Sequence, residues 1–183
     1  MIKAAIGFRA KTGRAIAVVL AADSSEPSFV WRGELDLVES TASESLAPYH
    51  QVMHLPWPEA LVAVQPLVME IEAVAHAALK KLVIDMRERD FDIRSVGVVG
   101  SPPKNLEKIG NYHIRAHAAE GTLFRRVLEA AAGKLKLTCR GYSEGEIKGA
   151  APESAMTRIG RSAGRPWRAD ERLAASAAWV ALR

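Results

Sequence analysis

The chain opens on two apolar runs, AAIGF at residues 4–8 and AIAVVLAA at residues 15–22, separated by RAKTGR, a polar stretch whose Gly13 marks a turn. The next stretch, SFVWRGELDLV, changes pattern. Phe29, Trp31, Gly33, Leu35 and Leu37 fall on one side of an extended chain, and Val30, Arg32, Glu34 and Asp36 largely on the other. This alternation predicts a strand with one solvated face. Short turns, the second from Asp23 to Pro27, join the three predicted strands into a meander. After a connector rich in Ser and Pro (residues 39–58) the period becomes helical: Leu61, Val64, Val68, Ile71, Val74, Ala75, Ala78, Leu82 and Met86 recur at spacings of three and four. Pro58 suits a first helical turn, and Pro66 is expected to kink the helix or break it in two.

IRSVGVVGSPP is a short apolar strand ended by Gly100 and Pro102, the pattern of a strand buried in a parallel sheet. YHIRAHAAEGTLFRRVLEAAAGKL predicts a second long helix with Gly133 near its end, and KLTCRGY a fifth strand. SEGEIKGAAPESAMTRIGRSAGRPW is polar and basic, with room for one short helix. RADERLAASAAWVALR is a last helix, with Asp170 either at its N-cap or in its first turn, where a carboxylate favours the helix dipole. The order β-β-β-α-β-α-β-(α)-α predicts an α/β fold. Three antiparallel strands followed by parallel β-α units form a mixed five-stranded sheet with helices on both faces.

At 183 residues the chain is long enough for one domain with a substantial core, taken as residues 1–183. The start, MIKAAIGFRAKTGR, is interrupted by Lys3 and Arg9 and does not read as a signal peptide. No uncharged apolar run approaches the ~20 residues of a membrane span. Cys139 is the only cysteine, so neither an internal disulfide nor a cysteine-based zinc site is expected. The expectation is a cytoplasmic protein of bacterial style with no membrane partner. Charge is unevenly distributed: residues 1–92 hold 9 Lys/Arg against 13 Asp/Glu, a net of −4, while residues 93–183 hold 16 against 8, a net of +8. A basic half suits a polyanion, and equally a merely solvated surface.

The predicted order of elements is that of ribonuclease H-like folds, and HIRAHAAEGTLFRRVLEAAAGKLKLTCRGYSEGEIKGA resembles the RuvC-type Holliday-junction resolvases. Ala119, Glu120 and Gly121 sit where that family has Ala-Arg-Gly, and Glu146, Ile147 and Lys148 where it has an acidic–aliphatic–Lys step. DERLAASAAW is similar to the family's final helix. The resemblance covers most of the chain as an order of elements and residues 113–180 as motif.

The resemblance implies a two-metal phosphodiesterase centre built from carboxylates on the first strand, after the fourth strand and on the last helix. Here the aliphatic-Gly-aliphatic step Ile6-Gly7-Phe8 is followed by Arg9 where the family has its acid. No acid lies between Val96 and Pro103, and on the last helix Asp170 matches the first expected carboxylate while the second falls at Leu173. Like unit charges at ~4 Å repel by ~4 kcal/mol at an effective dielectric of 20, and a divalent ion doubles that. One aspartate beside an arginine is therefore not expected to hold two metals. Asp170 reads as a positional remnant that caps the helix and pairs with Arg9, and Glu34, Asp36 and Glu120 are expected away from the sheet's centre.

Two further patterns carry chemistry. TRIGRSAGRPWR places Arg158, Arg161, Arg165 and Arg168 among Gly160, Gly164 and Trp167. Arginines grip phosphate oxygens bidentately, glycines let backbone amides approach, and an indole can stack on a base. Lys104, Lys108, Arg125 and Arg126 could extend that surface. HIRAH puts His113 and His117 one helical turn apart, the spacing of paired metal ligands, but with no third ligand evident, since His50 and His54 lie in the connector.

The expectation is a RuvC-like domain without catalytic residues, metal or cofactor. It binds nucleic acid (DNA or RNA) or a protein partner through a basic C-terminal half; the nucleic-acid or phosphate-binding residues are Arg9, Arg158, Arg161, Arg165, Trp167 and Arg168, with Asp170 as the remnant acid. Two alternatives stay open: an enzyme of different chemistry acting on a phosphorylated small molecule, and a structural protein that forms a homodimer, along the Pro66 helix for instance.

Overall fold

A computed structural model describes residues 1–22, 26–39 and 46–183. Strand β1 (Ile2–Lys11) is the middle of a five-stranded sheet. On one side it pairs antiparallel with β2 (Arg14–Ala21), which pairs antiparallel with β3 (Ser28–Asp36). On the other side it runs parallel to β4 (Phe91–Val99), and β4 runs parallel to β5 (Thr138–Tyr142). The helices are α1 (Pro48–Gln51), α2 (Trp57–Glu88), α3 (Tyr112–Lys134), α4 (Glu144–Ile147), α5 (Glu153–Ala163) and α6 (Ala169–Leu182). This is the mixed sheet that the alternation, turn residues and helical periods predict. The turn at Asp23–Pro27 and the connector at 39–58 fall partly outside the described residues.

Helices cover both faces of the sheet. Ala4, Ile6 and Phe8 of β1 share a core with Val64, Val68, Ile71, Ala75 and Leu79 of α2 and with Leu123, Phe124, Val127 and Leu128 of α3. Ala5 of β1 and Val18 and Leu20 of β2 belong to the opposite core, with Ala174, Ala175, Ala178 and Trp179 of α6 and Met156 and Ile159 of α5. The alanines of α6 let it lie almost on the strand backbones. A Cβ at Gly7 would stand 1.8 Å from the Ala174 carbonyl oxygen, and one at Gly97 would stand 2.6 Å from that of Ala177. Close approach fixes α6 across β1 and β4 and sets its first turn at the C-terminal end of β1.

Some expectations need correction. Of the two outcomes expected at Pro66, the break does not occur: one helix of 32 residues, Trp57–Glu88, runs through it. Pro66 lies on the exposed side of α2, where the carbonyl that loses its partner faces water. Phe29 and Trp31 do not share a face either. The β2–β3 register slips between Val19 and Leu20, so that Val19 faces Trp31 and Leu20 faces Phe29. That extra residue sends Phe29 to the α6 side and leaves Trp31 on the α2 side.

Helix α2 is long and apolar enough, by length and composition, to cross a membrane. Its stripe from Val64 to Met86 packs on the sheet instead, while Leu61, assigned to that stripe by spacing, is exposed together with Val62 and Met69.

Candidate functional site

The C-terminal end of β1 meets the first turns of α4 and α6. Arg9, whose side chain is 16% exposed, donates from Nε to Oδ1 of Asp170 at 3.4 Å and from Nη2 to Oε1 of Glu144. Lys11 donates from Nζ to the other Asp170 oxygen at 3.0 Å. Glu144 is placed by a capping box at the start of α4. The Ser143 hydroxyl accepts from the Glu146 amide at 3.3 Å, and the Glu146 carboxylate accepts from the Ser143 amide at 2.6 Å. On α6, Arg168 takes the N-cap position, with its amide donating to Glu171 at 3.0 Å, so Asp170 lies in the first turn. Two cations and two carboxylates from three elements thus close on one another.

Burial pushes the Asp170 carboxyl up, but the Lys11 hydrogen bond and the charges of Lys11 and Arg9 outweigh it and hold the group below the ordinary aspartate value of 3.8. A lowered carboxylate stabilises the fold in full above its unfolded value, and that contribution fades as pH falls through the lower folded value. Stability measured by denaturant midpoint is therefore expected to fall on acidification from pH 4 downwards, less steeply in Asp170→Asn. Equal slopes in the two proteins would remove the linkage.

The residues here do not fit a pair of divalent cations. Arg9, a cation, stands near the end of β1, and both oxygens of Asp170 are engaged by cations. Leu173, one turn further along α6, packs against Val99, Tyr142 and Ile147. The chain after β4 reads Gly100-Ser101, without an acid. Glu34 pairs with Arg14 out on β3. Glu120 does come to the central edge, against expectation. It lines a small cleft of about 210 Å³ with Arg9, Lys11, Ser101 and Gly121.

The polar stretch after β5, expected to hold one short helix, holds two, α4 and α5, so the arginine-rich segment is partly helical. Arg158 and Arg161 lie on α5, and Arg165 and Arg168 lie between α5 and α6. Arg158 is engaged, donating to Glu26 at 2.6 Å and to the Pro27 carbonyl at 3.3 Å, which ties α5 to the chain before β3. Arg161 and Arg165 are exposed, and their guanidinium groups have no hydrogen bond or ion pair among the described residues. Together with Gly160, Gly164, Trp167 and Arg172 they line an open groove. Trp167 is half-buried over Gly160, where a Cβ would come within 2.7 Å of its ring. Arg172 links this groove to a cleft of about 490 Å³ that reaches Glu144 and hence the Arg9 centre. Of the residues expected to extend the surface, Lys104, Lys108 and Arg126 are exposed. Arg125 is buried and pairs with Glu129 at 2.7 Å beneath Gly100 and Gly141. Burial, with the charge of Glu129 adding to it, pushes the Cys139 thiol up to about 11, which suits a packing residue rather than a nucleophile.

The structure also assembles what spacing alone leaves apart. His50 of α1 stands against His113 and His117 of α3, with one ligand atom from each within 4.8 Å of the others. Sequence reasoning finds the pair on α3 but not the third histidine, because the connector has no period from which its fold could be read. The pointer was PYHQ, a proline-started turn carrying a histidine.

No family model matches the chain, and no curated protein matches it by sequence. Among solved structures it is similar to RuvC from Thermus thermophilus in complex with a Holliday junction substrate, with a TM-score of 0.54, 12% identity, and 97% of this chain and 90% of that one covered. A Thermus thermophilus RuvC structure solved separately gives a TM-score of 0.52 at 12% identity, covering 96% and 91%. The fold is RuvC-like, within the ribonuclease H-like class.

Proposed function

We propose that this RuvC-like chain binds nucleic acid by its phosphates without cutting it. The groove of α5 and the start of α6, beside the Arg9–Asp170 centre, would be the binding surface. The observation that carries the reading is the pairing of Arg161 and Arg165, exposed and unengaged among the described residues, with Gly160 and Gly164 in one open groove. Arginine forks suit phosphate oxygens, and an open groove admits a polymer that a closed pocket would exclude. Trp167 edges the same groove and offers part of its ring to a base. Arg158 contributes little in this reading, since Glu26 already holds it. Loss of cutting follows from the closed network of Arg9, Lys11, Asp170 and Glu144, which leaves no carboxylate pair for two divalent metals. A protein of the same fold was captured with a Holliday junction substrate, which makes a four-way junction the first nucleic acid to try.

The test is fluorescence anisotropy with labelled duplex and four-way-junction DNA at two salt concentrations. Binding that weakens steeply with salt, and favours the junction, is the expected result. Absence of binding to either DNA at low salt would overturn the proposal and favour a phosphorylated small molecule in the cleft between α4, α5 and α6.

The homodimer retains a specific support. Leu61, Val62 and Met69 are exposed around Pro66 on a stretch of α2 without charges, and a second copy would cover that face symmetrically. Sedimentation of the untagged chain as a monomer at micromolar concentration would remove this proposal.

A further inference from the structure

The strongest unassigned constellation lies one side chain away from the Arg9 cleft, on the start of α3. Asn111 caps this helix by accepting from the Ile114 amide at 3.0 Å. The helix then presents His113, His117 and Glu120 on one face, at spacings of four and three. The short helix α1 brings His50 onto that face. Glu120 holds His50 twice: one carboxylate oxygen accepts from the His50 amide at 3.1 Å, and the other meets its Nδ1 at 2.6 Å. A carboxylate there can accept a hydrogen bond from Nδ1–H, and in the neutral tautomer with that proton the lone pair lies on Nε2. This is the arrangement in which metal-bound histidines are oriented by an acid behind them.

The three rings are nearly perpendicular to one another. Their centroids lie 4.5 Å apart for His113–His117, 4.4 Å for His50–His117 and 5.2 Å for His50–His113, with interplanar angles of 88°, 73° and 83°. No hydrogen bond links the rings, and the rings of His113 and His117 have no hydrogen-bond partner among the described residues. Three ligand nitrogens within 4.8 Å need only small side-chain rotations to reach the separation of roughly 3.4 Å that tetrahedral zinc sets at its bond length. Surface histidines gathered by chance would not need a partly buried acid gripping one of them through both its backbone and its ring; the Glu120 side chain is 12% exposed.

We propose that His50, His113 and His117 bind one transition-metal ion, zinc or another borderline cation, with Glu120 as the positioning residue behind His50. Neutral imidazoles select zinc, cobalt, nickel or copper over magnesium and calcium, which require oxygen ligands. The site is therefore of a different kind from a carboxylate-bound metal pair. Three protein ligands, two of them on exposed histidines, leave a fourth position open to water or to a ligand oxygen. Glu120 also lines the cleft beside Arg9 and Lys11, so a phosphate held there would border the metal. The proposal stands independently of the nucleic-acid reading.

The experiment uses untagged full-length protein stripped with a chelator and titrated with zinc against a chromogenic competitor, then with cobalt to follow the visible absorption of a low-symmetry site. One equivalent of zinc is expected to bind and to raise Tm, with magnesium unable to compete. His113→Ala and His117→Ala lie on an exposed helix face and are expected to keep the apo Tm while each lowers zinc affinity at least 100-fold. Glu120→Gln is expected to weaken binding by about 10–100-fold. Absence of stoichiometric binding, or binding unchanged in the His113→Ala/His117→Ala double variant, would overturn the proposal.

Discussion

Gly7→Ala is expected to destabilise the chain by about 3 kcal/mol, a large loss for the addition of one methyl group. The new Cβ would stand 1.8 Å from the Ala174 carbonyl oxygen and 2.5 Å from the Ala178 amide. Both are backbone atoms of α6, so no side chain can swing aside. The helix would have to lift from the central strand, opening the core that Val18, Leu20, Trp179 and Leu182 share. Close-packed interiors lose dispersion contacts steeply when elements separate. The movement would also carry Asp170 away from Arg9 and Lys11. Gly133→Ala is the control: nothing lies within 4 Å of its Cβ, it sits in α3, and alanine there is expected to add up to about 1 kcal/mol. Urea midpoints of the two variants check the contrast, and a Gly7→Ala midpoint equal to that of the parent would mean that α6 does not rest on β1.

The second large effect is on DNA affinity. Replacing Arg161, Arg165 and Arg168 together with alanine is expected to lower affinity on the order of 100-fold at 0.1 M salt. It should also flatten the slope of log K against log salt by roughly 2 to 3, since each lost phosphate contact removes about 0.9. Arg158→Ala is expected to change that slope little, because its guanidinium serves Glu26 and the Pro27 carbonyl. Anisotropy titrations at four salt concentrations separate the cases. If the triple variant keeps the parent slope, the phosphates lie elsewhere on the protein.

The sheet was legible because its signals are local. Alternation, Gly13 and Gly100 at turns, and helical spacing in α2 and α3 each constrain only a few neighbouring residues. The meeting of Arg9 with Asp170 was legible through the family resemblance, which implies that the end of the first strand and the start of the last helix share one site. What the sequence hid depends on packing across elements. Whether Phe29 faces α6 or α2 is decided by one inserted residue opposite Val19 and Leu20. Arg158 looks like any other arginine of its cluster until Glu26 comes beside it from another element. His50 and Glu120 are 70 residues apart, joined through a connector without period. Their partnership exists only once α1 packs on α3.

Binding without cutting is proposed beside the network of Arg9, Lys11, Asp170 and Glu144. Its most direct test incubates a labelled four-way junction with the protein in magnesium or manganese, following anisotropy and strand length on a denaturing gel in the same samples. A retained, salt-sensitive complex with every strand intact is the expected result. Strand scission that disappears in Asp170→Asn would contradict it, because a working metal centre would then sit where the Arg9 network is placed.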